Sequence, residues 1–141
     1  MAKSKDRIRK GEALLRKMGR QGLLDNLKKT SPEHYEITVG HLFGDIWTRP
    51  HLSLRERQLI TLAANVALAR PTGNHSHYHS AMHIGITEEE IKELIIQVGH
   101  YSGWPTMGLA LRQLNRVLKA ANKPAKKAKS PKELSELWED R

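Results

Sequence analysis

Histidine side chains are concentrated in one short segment, Asn74–His83, which contains four of the eight histidines of the chain. His75, His79 and His83 recur every four residues, so on an α-helix they share one face, whereas His77 points away from them. Imidazoles that converge from one helix face can ligate a metal ion, and an i, i+4 pair has suitable geometry. The segment therefore offers two kinds of chemistry, a metal site on the three spaced histidines or a separate role for His77.

His77 would be suited to proton transfer if its face of the helix is surrounded by apolar side chains. An imidazole titrates near neutral pH and can move a proton to or from a bound substrate. The alternative is a buried histidine whose N–H is satisfied by a backbone carbonyl. Metal binding is disfavoured because no Asp, Glu or Cys lies in the ten residues before the segment, and Glu88 is the first acid after it.

Two further segments carry side chains that could bind an organic acid. Arg49 stands beside Trp47 at the junction of two predicted helices, where a guanidinium can hold a carboxylate through two hydrogen bonds. Its alternative role is to cap the helix and to form a salt bridge with Asp45 or Glu56. Tyr101–Pro105 predicts an aromatic-lined turn, in which Gly and Pro serve mainly the turn itself.

The composition excludes several classes of protein. The 141 residues include no cysteine, which excludes disulfides, zinc ribbons, iron–sulfur clusters and thiol nucleophiles. The sequence has no run of eighteen apolar residues and no apolar segment at its N-terminus, so we expect neither a membrane span nor a secretory signal. We therefore expect a cytoplasmic protein with no membrane partner.

The net charge of +9 comes from the two ends of the chain. Residues 1–30 carry +7 and residues 119–141 carry +3, whereas residues 31–118 carry −1. Basic ends bind phosphates loosely, and specific nucleic-acid binding requires the charge on a folded surface. We therefore predict no specific nucleic-acid partner. Residues 1–30 are interpreted as a basic N-terminal helical extension, and residues 119–141 as a basic linker with a short terminal helix from Ser130.

Helix signals recur along the chain and strand signals are absent, which predicts an all-α fold, a compact bundle of about six core helices. The apolar stripe of Arg7–Met18 predicts a first helix, with Gly22 as its stop. Ser31-Pro32 predicts the start of the next helix, which Pro50 ends. The later helices are predicted over Leu54–Ala69, His75–Ile84, Thr87–Gly103 and Thr106–Leu118, with capping boxes at Ser53/Glu56 and Thr87/Glu90.

The predicted core, residues 31–118, is small for a single hydrophobic core. The Leu54–Ala69 helix is apolar on more sides than short neighbouring helices can cover. We therefore expect the remaining apolar surface of this helix to be buried between the subunits of a homo-oligomer.

Taken in this order, the segments resemble the carboxymuconolactone decarboxylase family over roughly residues 35–118. Phe43–Arg57 is similar to the family's FGxxWxRPxLxLxxR segment. His77 falls on the histidine of its HxxxAxxxGxT segment, and Tyr101–Pro105 fits its YxGxP turn. The resemblance implies that residues 31–118 form a helical domain of the alkylhydroperoxidase D-like type, assembled into trimers or hexamers with sites near the subunit contacts.

By this resemblance the chain is a lyase that decarboxylates a small carboxylated lactone of the 4-carboxymuconolactone type, in aromatic-acid breakdown. Loss of CO₂ leaves a dienolate, so the site must hold carboxylates, stabilise an oxyanion and protonate carbon. The resemblance places His77 as the proton donor. Arg49 and Arg57 would hold carboxylates, and Tyr101 and Trp104 would form walls. The resemblance implies neither a metal nor an organic cofactor.

The chain departs from the family pattern four residues before His77. Family decarboxylases usually carry a glutamate there, where this chain has Gly73. A carboxylate at that position could orient the imidazole. We expect His77 to be oriented instead by Asn74, by His75 or by a residue of a partner chain.

The same superfamily contains peroxidases that use a glutamate, two cysteines and a histidine at fixed spacing. The matching positions of this chain are Gln58, Arg70, Gly73 and His77, which excludes thiol peroxidase chemistry. Two alternatives to the decarboxylase stay open. One is a divergent, non-catalytic or ligand-binding member of the fold, and the other is a metal enzyme that uses His75, His79 and His83.

Overall fold

A computed structural model describes residues 2–71 and 73–122, and within these ranges the chain is all-α, as predicted. The terminal helix predicted from Ser130 lies outside the described residues. None of the described helices is long and apolar enough to cross a membrane. In chain order the helices are α1 (Ala2–Lys17), α2 (Gln21–Thr30), α3 (Pro32–Tyr35), a π-helix (Glu36–Ile46), α4 (Leu54–Ala67), α5 (Asn74–His83), α6 (Glu88–Ser102) and α7 (Trp104–Ala121).

Both predicted capping boxes are present. The Ser53 hydroxyl accepts a hydrogen bond from the backbone N–H of Glu56, and the Glu56 carboxylate accepts one from the N–H of Ser53. Thr87 and Glu90 repeat this arrangement at the start of α6. Glu90 also forms an ion pair with Arg55 of α4, so one carboxylate caps α6 and links it to α4.

Two clusters of buried side chains form the core. The first lies between α4, α5, α6 and α7 and is centred on Leu62, Tyr78, Ile95 and Leu114. Ile84, just after α5, packs against both clusters and joins them. The second cluster lies between α1, α2 and the π-helix, and its fully or nearly fully buried members are Leu15, Met18, Leu24, Leu27, Val39 and Phe43. The apolar sides of α1 and α2 are therefore part of the folded core.

The helix predicted after Ser31-Pro32 is present, but the part from Glu36 to Ile46 is a π-helix instead of an α-helix. This π-helix lies very close to α1. A Cβ atom at Gly11 would collide with the carbonyl of Val39, and one at Gly44 would collide with the carbonyl of Arg7. The two helices therefore meet backbone to backbone, which glycine alone permits.

Three predicted helix boundaries differ from the structure. Gly22 does not stop the first helix, because the chain turns at Gly19, where φ is +71°, and Gly22 lies inside α2. A left-handed residue just after a helix is usually glycine. The last core helix begins at Trp104 instead of Thr106 and continues to Ala121, so residues 119–121 are helical and do not belong to a linker.

Candidate active site

The register of α5 is fixed by the side chains that it buries. Tyr78 and Ala81 are fully buried in the first core cluster. Asn74, also buried, donates a 2.8 Å hydrogen bond to the side-chain oxygen of Gln113 on α7. Successive side chains of an α-helix point about 100° apart around its axis. Because Asn74, Tyr78 and Ala81 point into the core, His77 points toward α4, and Ser76 and Ser80 point toward the start of α2.

His77 is held by Gln58 of α4. The Gln58 amide nitrogen donates to the His77 backbone carbonyl at 3.0 Å and lies 3.4 Å from the imidazole Nδ1. The carbonyl requires a donor, so the amide nitrogen faces His77, and Nδ1 is then an acceptor. In the neutral imidazole the proton therefore resides on Nε2.

Gln58 supplies the contact that the sequence analysis expected from Asn74, His75 or a partner chain. Asn74 is engaged instead with Arg70 and Gln113. Sequence contained one signal for Gln58, because this residue occupies the position of the peroxidase glutamate. The residue type at that position excludes a thiol peroxidase, but the sequence alone does not show that its side chain contacts His77.

Burial sets the charge of His77. The half-buried imidazole has its pKa lowered to about 4, first by desolvation and second by the positive charge of Arg20. Both effects disfavour the imidazolium form. His77 of the free protein is therefore neutral at pH 7, and an anionic ligand beside it would favour protonation.

Arg20 is the residue of this site that sequence analysis missed. It is 9% exposed, its Nε donates to the Ser80 hydroxyl at 2.7 Å, and its Nη2 donates to the Ser76 hydroxyl at 3.4 Å. The guanidinium lies 5.8 Å from the centroid of the Phe43 ring. Burial lowers the pKa of Arg20 to about 10, so the side chain is still cationic at pH 7. Nothing in the sequence distinguishes it from the other basic residues of 1–30.

A cavity of about 290 Å³ lies beside Arg20, where α2 begins and α5 passes. It is lined by Gly19, Arg20, Gly22, Leu23, Ser76, His79 and Ser80. His79, assigned above to a possible metal site, thus faces this cavity. The cavity combines one buried cation with two hydroxyl groups and a mostly apolar surface.

Arg57 fixes the loop before α4. Its Nη2 donates to the backbone carbonyls of Arg49 at 2.7 Å and Pro50 at 3.4 Å. Arg57 also lines a second cavity, of about 150 Å³, with Trp47 and four other residues. The Arg57 guanidinium therefore forms its hydrogen bonds with the loop that contains Arg49. His77 lines neither of the two cavities.

Arg49 is exposed, and the alternative ion pairs considered for it do not form among the described residues. Asp45 lies against Arg7 and His41, and Glu56 caps α4. The guanidinium of Arg49 is thus not committed to either carboxylate.

Tyr101 and Trp104 lie on the protein surface. They are 86% and 70% exposed at the junction of α6 and α7, and neither lines the two cavities described above. The ring of Trp104 lies 6.0 Å from that of His100. One chain therefore brings His77, Gln58 and Arg20 together but leaves the two aromatic residues outside that group.

The three spaced histidines do not come together as one cluster in the part of the chain that the structure describes. Residues 2–71 and 73–122 contain no group of three or more His, Asp or Glu side chains that could share a metal ion. His83 packs instead against the backbone of Gly19, where an added Cβ would lie 2.8 Å from the imidazole Cγ. The geometry of the described residues therefore gives no support to the alternative of a metal enzyme that uses His75, His79 and His83.

Comparison with known proteins agrees with the resemblance found in the sequence. The model of the carboxymuconolactone decarboxylase family matches residues 32–116. A 4-carboxymuconolactone decarboxylase of Acinetobacter baylyi is 30% identical over 96 residues, which cover 68% of this chain and 72% of that protein. A nitrosuccinic acid decarboxylase of Metarhizium robertsii is 30% identical over 71 residues, half of each chain. The chain therefore belongs to the carboxymuconolactone decarboxylase family.

Proposed function

We propose that the protein is a cofactor-free decarboxylase that acts on a small carboxylated lactone of the 4-carboxymuconolactone type. Family membership and the names of both relatives support this activity. The observation that carries it in this chain is the imidazole of His77, held by Gln58 and influenced by the charge of Arg20. An anionic substrate that forms a carbanion requires a cation that binds it and a proton donor that protonates the carbanion.

In the proposed reaction, His77 becomes charged when the substrate binds. The substrate carboxylates oppose the effects of burial and of Arg20, so the imidazole takes up a proton from solvent. The bond from carbon to the departing carboxylate breaks, CO₂ leaves, and its electron pair passes into the lactone as a dienolate. The imidazolium then gives its proton to the dienolate carbon, which completes the product and restores neutral His77.

Gln58 acts in this mechanism as a positioning residue. It fixes the imidazole from behind through Nδ1 and the backbone carbonyl, so that Nε2 is left to face the substrate. This contact would take the place of the family glutamate that is absent at Gly73. An imidazole held in one orientation needs less conformational ordering to reach the reactive geometry.

Arg49, Tyr101 and Trp104 are proposed to act at a contact between subunits of a trimer or hexamer. All three are exposed in the single chain, and the aromatic pair has the large apolar surface typical of interface anchors. Arg57 is proposed to act on substrate through the loop that carries Arg49, since its own Nη2 is committed to two carbonyls of that loop.

The proposal is tested by the release of CO₂ from a panel of acids. The purified protein is incubated with 4-carboxymuconolactone, with nitrosuccinic acid and with a saturated carboxylated lactone that cannot form a dienolate. We expect turnover of 4-carboxymuconolactone and none of the saturated lactone. Turnover of nitrosuccinic acid alone would reassign the substrate. Absence of turnover with the whole panel would support the non-catalytic, ligand-binding alternative.

A further inference from the structure

Arg20 is a buried cation with no carboxylate partner in the part of the chain that the structure describes. Its hydrogen bonds go to two serine hydroxyls, and its remaining contact is with the face of Phe43. Burying a charge without a counter-ion is costly, and proteins normally pair such a group. Burial lowers the pKa of Arg20, and within the described residues no negative charge nearby opposes this effect.

Arg20 has N–H donors that are not hydrogen-bonded to any residue that the structure describes, and its side chain lines the cavity beside α2. A guanidinium has five N–H donors, and Ser76 and Ser80 occupy two of them. The other N–H groups have no acceptor within residues 2–71 and 73–122, and Arg20 lines the cavity of about 290 Å³. The fork of a guanidinium matches the two oxygens of a carboxylate.

The rest of the cavity suits an organic anion. α2 begins at Gln21, immediately after Arg20, and the N-terminal end of a ten-residue helix carries partial positive charge. Gly22, with no atom within 4 Å of a Cβ built there, leaves this end open. Leu23 adds an apolar surface. Two hydroxyls, Ser76 and Ser80, hold the cation in place from the side of α5.

We propose that this cavity binds the carboxylate of a small organic acid, with the Arg20 guanidinium as its counter-ion. If the protein has the proposed function, on which this assignment rests, the bound group is the substrate carboxylate that is retained in the product. Decarboxylation moves negative charge away from the departing carboxylate, so a cation there would stabilise the reactant more than the transition state. A cation on the retained carboxylate has no such penalty.

The position of Arg20 also links binding to His77. Ser76, His77 and Ser80 lie within a sector of about 100° of α5, at 100° per residue. The same arginine that contacts both serines lowers the pKa of His77. A carboxylate on Arg20 would neutralise that influence and favour the protonated imidazole, which is the form that the proposed reaction uses.

The binding part is tested without any turnover. Thermal-shift and calorimetric titrations of the full chain use benzoate and its uncharged analogue benzamide, on the wild type and on Arg20→Gln, Arg20→Lys and Arg116→Gln. Arg116 is an exposed arginine of α7 and serves as the matched control. We expect benzoate alone to raise the Tm of the wild type and of Arg116→Gln. Arg20→Gln should weaken benzoate binding by about tenfold or more, and Arg20→Lys by less.

Three results would each overturn the anion site. These are an equal response to benzoate and benzamide, no response to either ligand, and unchanged benzoate binding in Arg20→Gln. If Arg20→Gln does not fold, the comparison of benzoate with benzamide on the wild type still tests the anion site. The NMR signal of the Ser80 amide provides a second test, because it should shift with benzoate and not with benzamide.

The substrate part is tested by kinetics on 4-carboxymuconolactone. Loss of a contact to the retained carboxylate should raise KM by about tenfold with kcat little changed, because such a contact is equal in ground and transition states. A fall in kcat at constant KM would contradict this role. Arg20-dependent benzoate binding without any turnover would instead contradict the proposed function and leave the anion site intact.

Discussion

The four histidines of α5 are chemically different because each has a different surrounding. His75 is exposed, His79 faces the cavity beside Arg20 and His83 packs on the backbone of Gly19. Burial, together with the charge of Arg20, lowers the pKa of His77 to about 4, and its Nδ1 faces the amide of Gln58. At the scale of the residue, this difference in surroundings is the reason why we propose His77 for proton transfer.

The first prediction at this scale concerns the charge of His77. NMR titration of the imidazole should give a pKa of about 4 in the free protein. Replacing Arg20 by Gln removes the second cause of the shift, so the pKa should rise toward 6.5. A dianionic substrate analogue should also raise it, because negative charge favours the imidazolium.

The sign of this shift also fixes its effect on stability. Because the pKa of His77 is lower in the folded state than in the unfolded one, the unfolded state binds more protons between about pH 6.5 and pH 4. The free energy of unfolding should therefore decrease as the pH falls through this range, and less so in His77→Gln. A wild-type His77 that titrates near 6.5 would contradict both the burial of the imidazole and the influence of Arg20.

The contact between Gln58 and His77 illustrates what sequence can and cannot give for the site. The histidine itself was predicted from its place in a motif. Its partner lies 19 residues earlier on another helix, and Arg20 reaches Ser80 across 60 residues. Pairings of this kind are set by how helices pack, and periodicity within one helix contains no information on them.

At the scale of the element, the capping boxes located two helix starts, whereas other helix bounds and the π-helix were predicted less well. Capping boxes at Ser53 and Thr87 are complete within four residues, so the sequence contains the whole interaction. The π-helix was not predicted, because residues four apart share a face in both α- and π-helical geometry. Its close contact with α1, through Gly11 of α1 and Gly44 of the π-helix, joins residues more than thirty positions apart, which periodicity within one helix does not reveal.

Gly73 starts α5 in a conformation that other residues avoid. Its φ is +85°, and a Cβ there would meet no atom within 4 Å, so strain in the backbone, and not crowding, opposes a side chain. Gly73→Ala should lower the free energy of unfolding by about 1 kcal/mol. A glutamate at this position, as in the family pattern, would meet the same strain.

The control for this prediction is Gly108→Ala in the interior of α7. Its added Cβ would meet only the flexible end of Arg112, at 3.4 Å, so helix propensity should raise the free energy of unfolding by about 0.5–1 kcal/mol. Chemical denaturation of both variants measures the two changes. A Gly73→Ala variant as stable as the wild type would show that the left-handed start of α5 is not required.

At the scale of the whole molecule, the exposed apolar side chains predict assembly. Ile60 and Leu68 of the α4 segment are 53% and 63% exposed, and Tyr101 and Trp104 are exposed further along the chain. The buried positions of α4, in contrast, are Gln58, Leu62 and Val66. The face of α4 that remains uncovered in one chain is the one that we propose lies between subunits.

This prediction is tested by the molar mass in solution. Light scattering should give the mass of a trimer or hexamer for the wild type, and Leu68→Glu should reduce it while the helical circular dichroism is retained. Asn115→Glu at an exposed position of α7 adds the same single negative charge, serves as the charge-matched control and should keep the wild-type mass. A monomeric wild type would contradict the proposed subunit contact.

The most direct test of the central claim compares CO₂ release from 4-carboxymuconolactone by the wild type, His77→Gln and His75→Gln. Glutamine keeps a polar side chain of similar length and removes the titrating imidazole, and His75 is the exposed histidine two residues away. General acid catalysis contributes typically 10²- to 10⁴-fold to a rate, so we predict that His77→Gln lowers kcat by about 100-fold or more and that His75→Gln retains it. Turnover by His77→Gln at the wild-type rate would contradict the assignment of His77 as the proton donor.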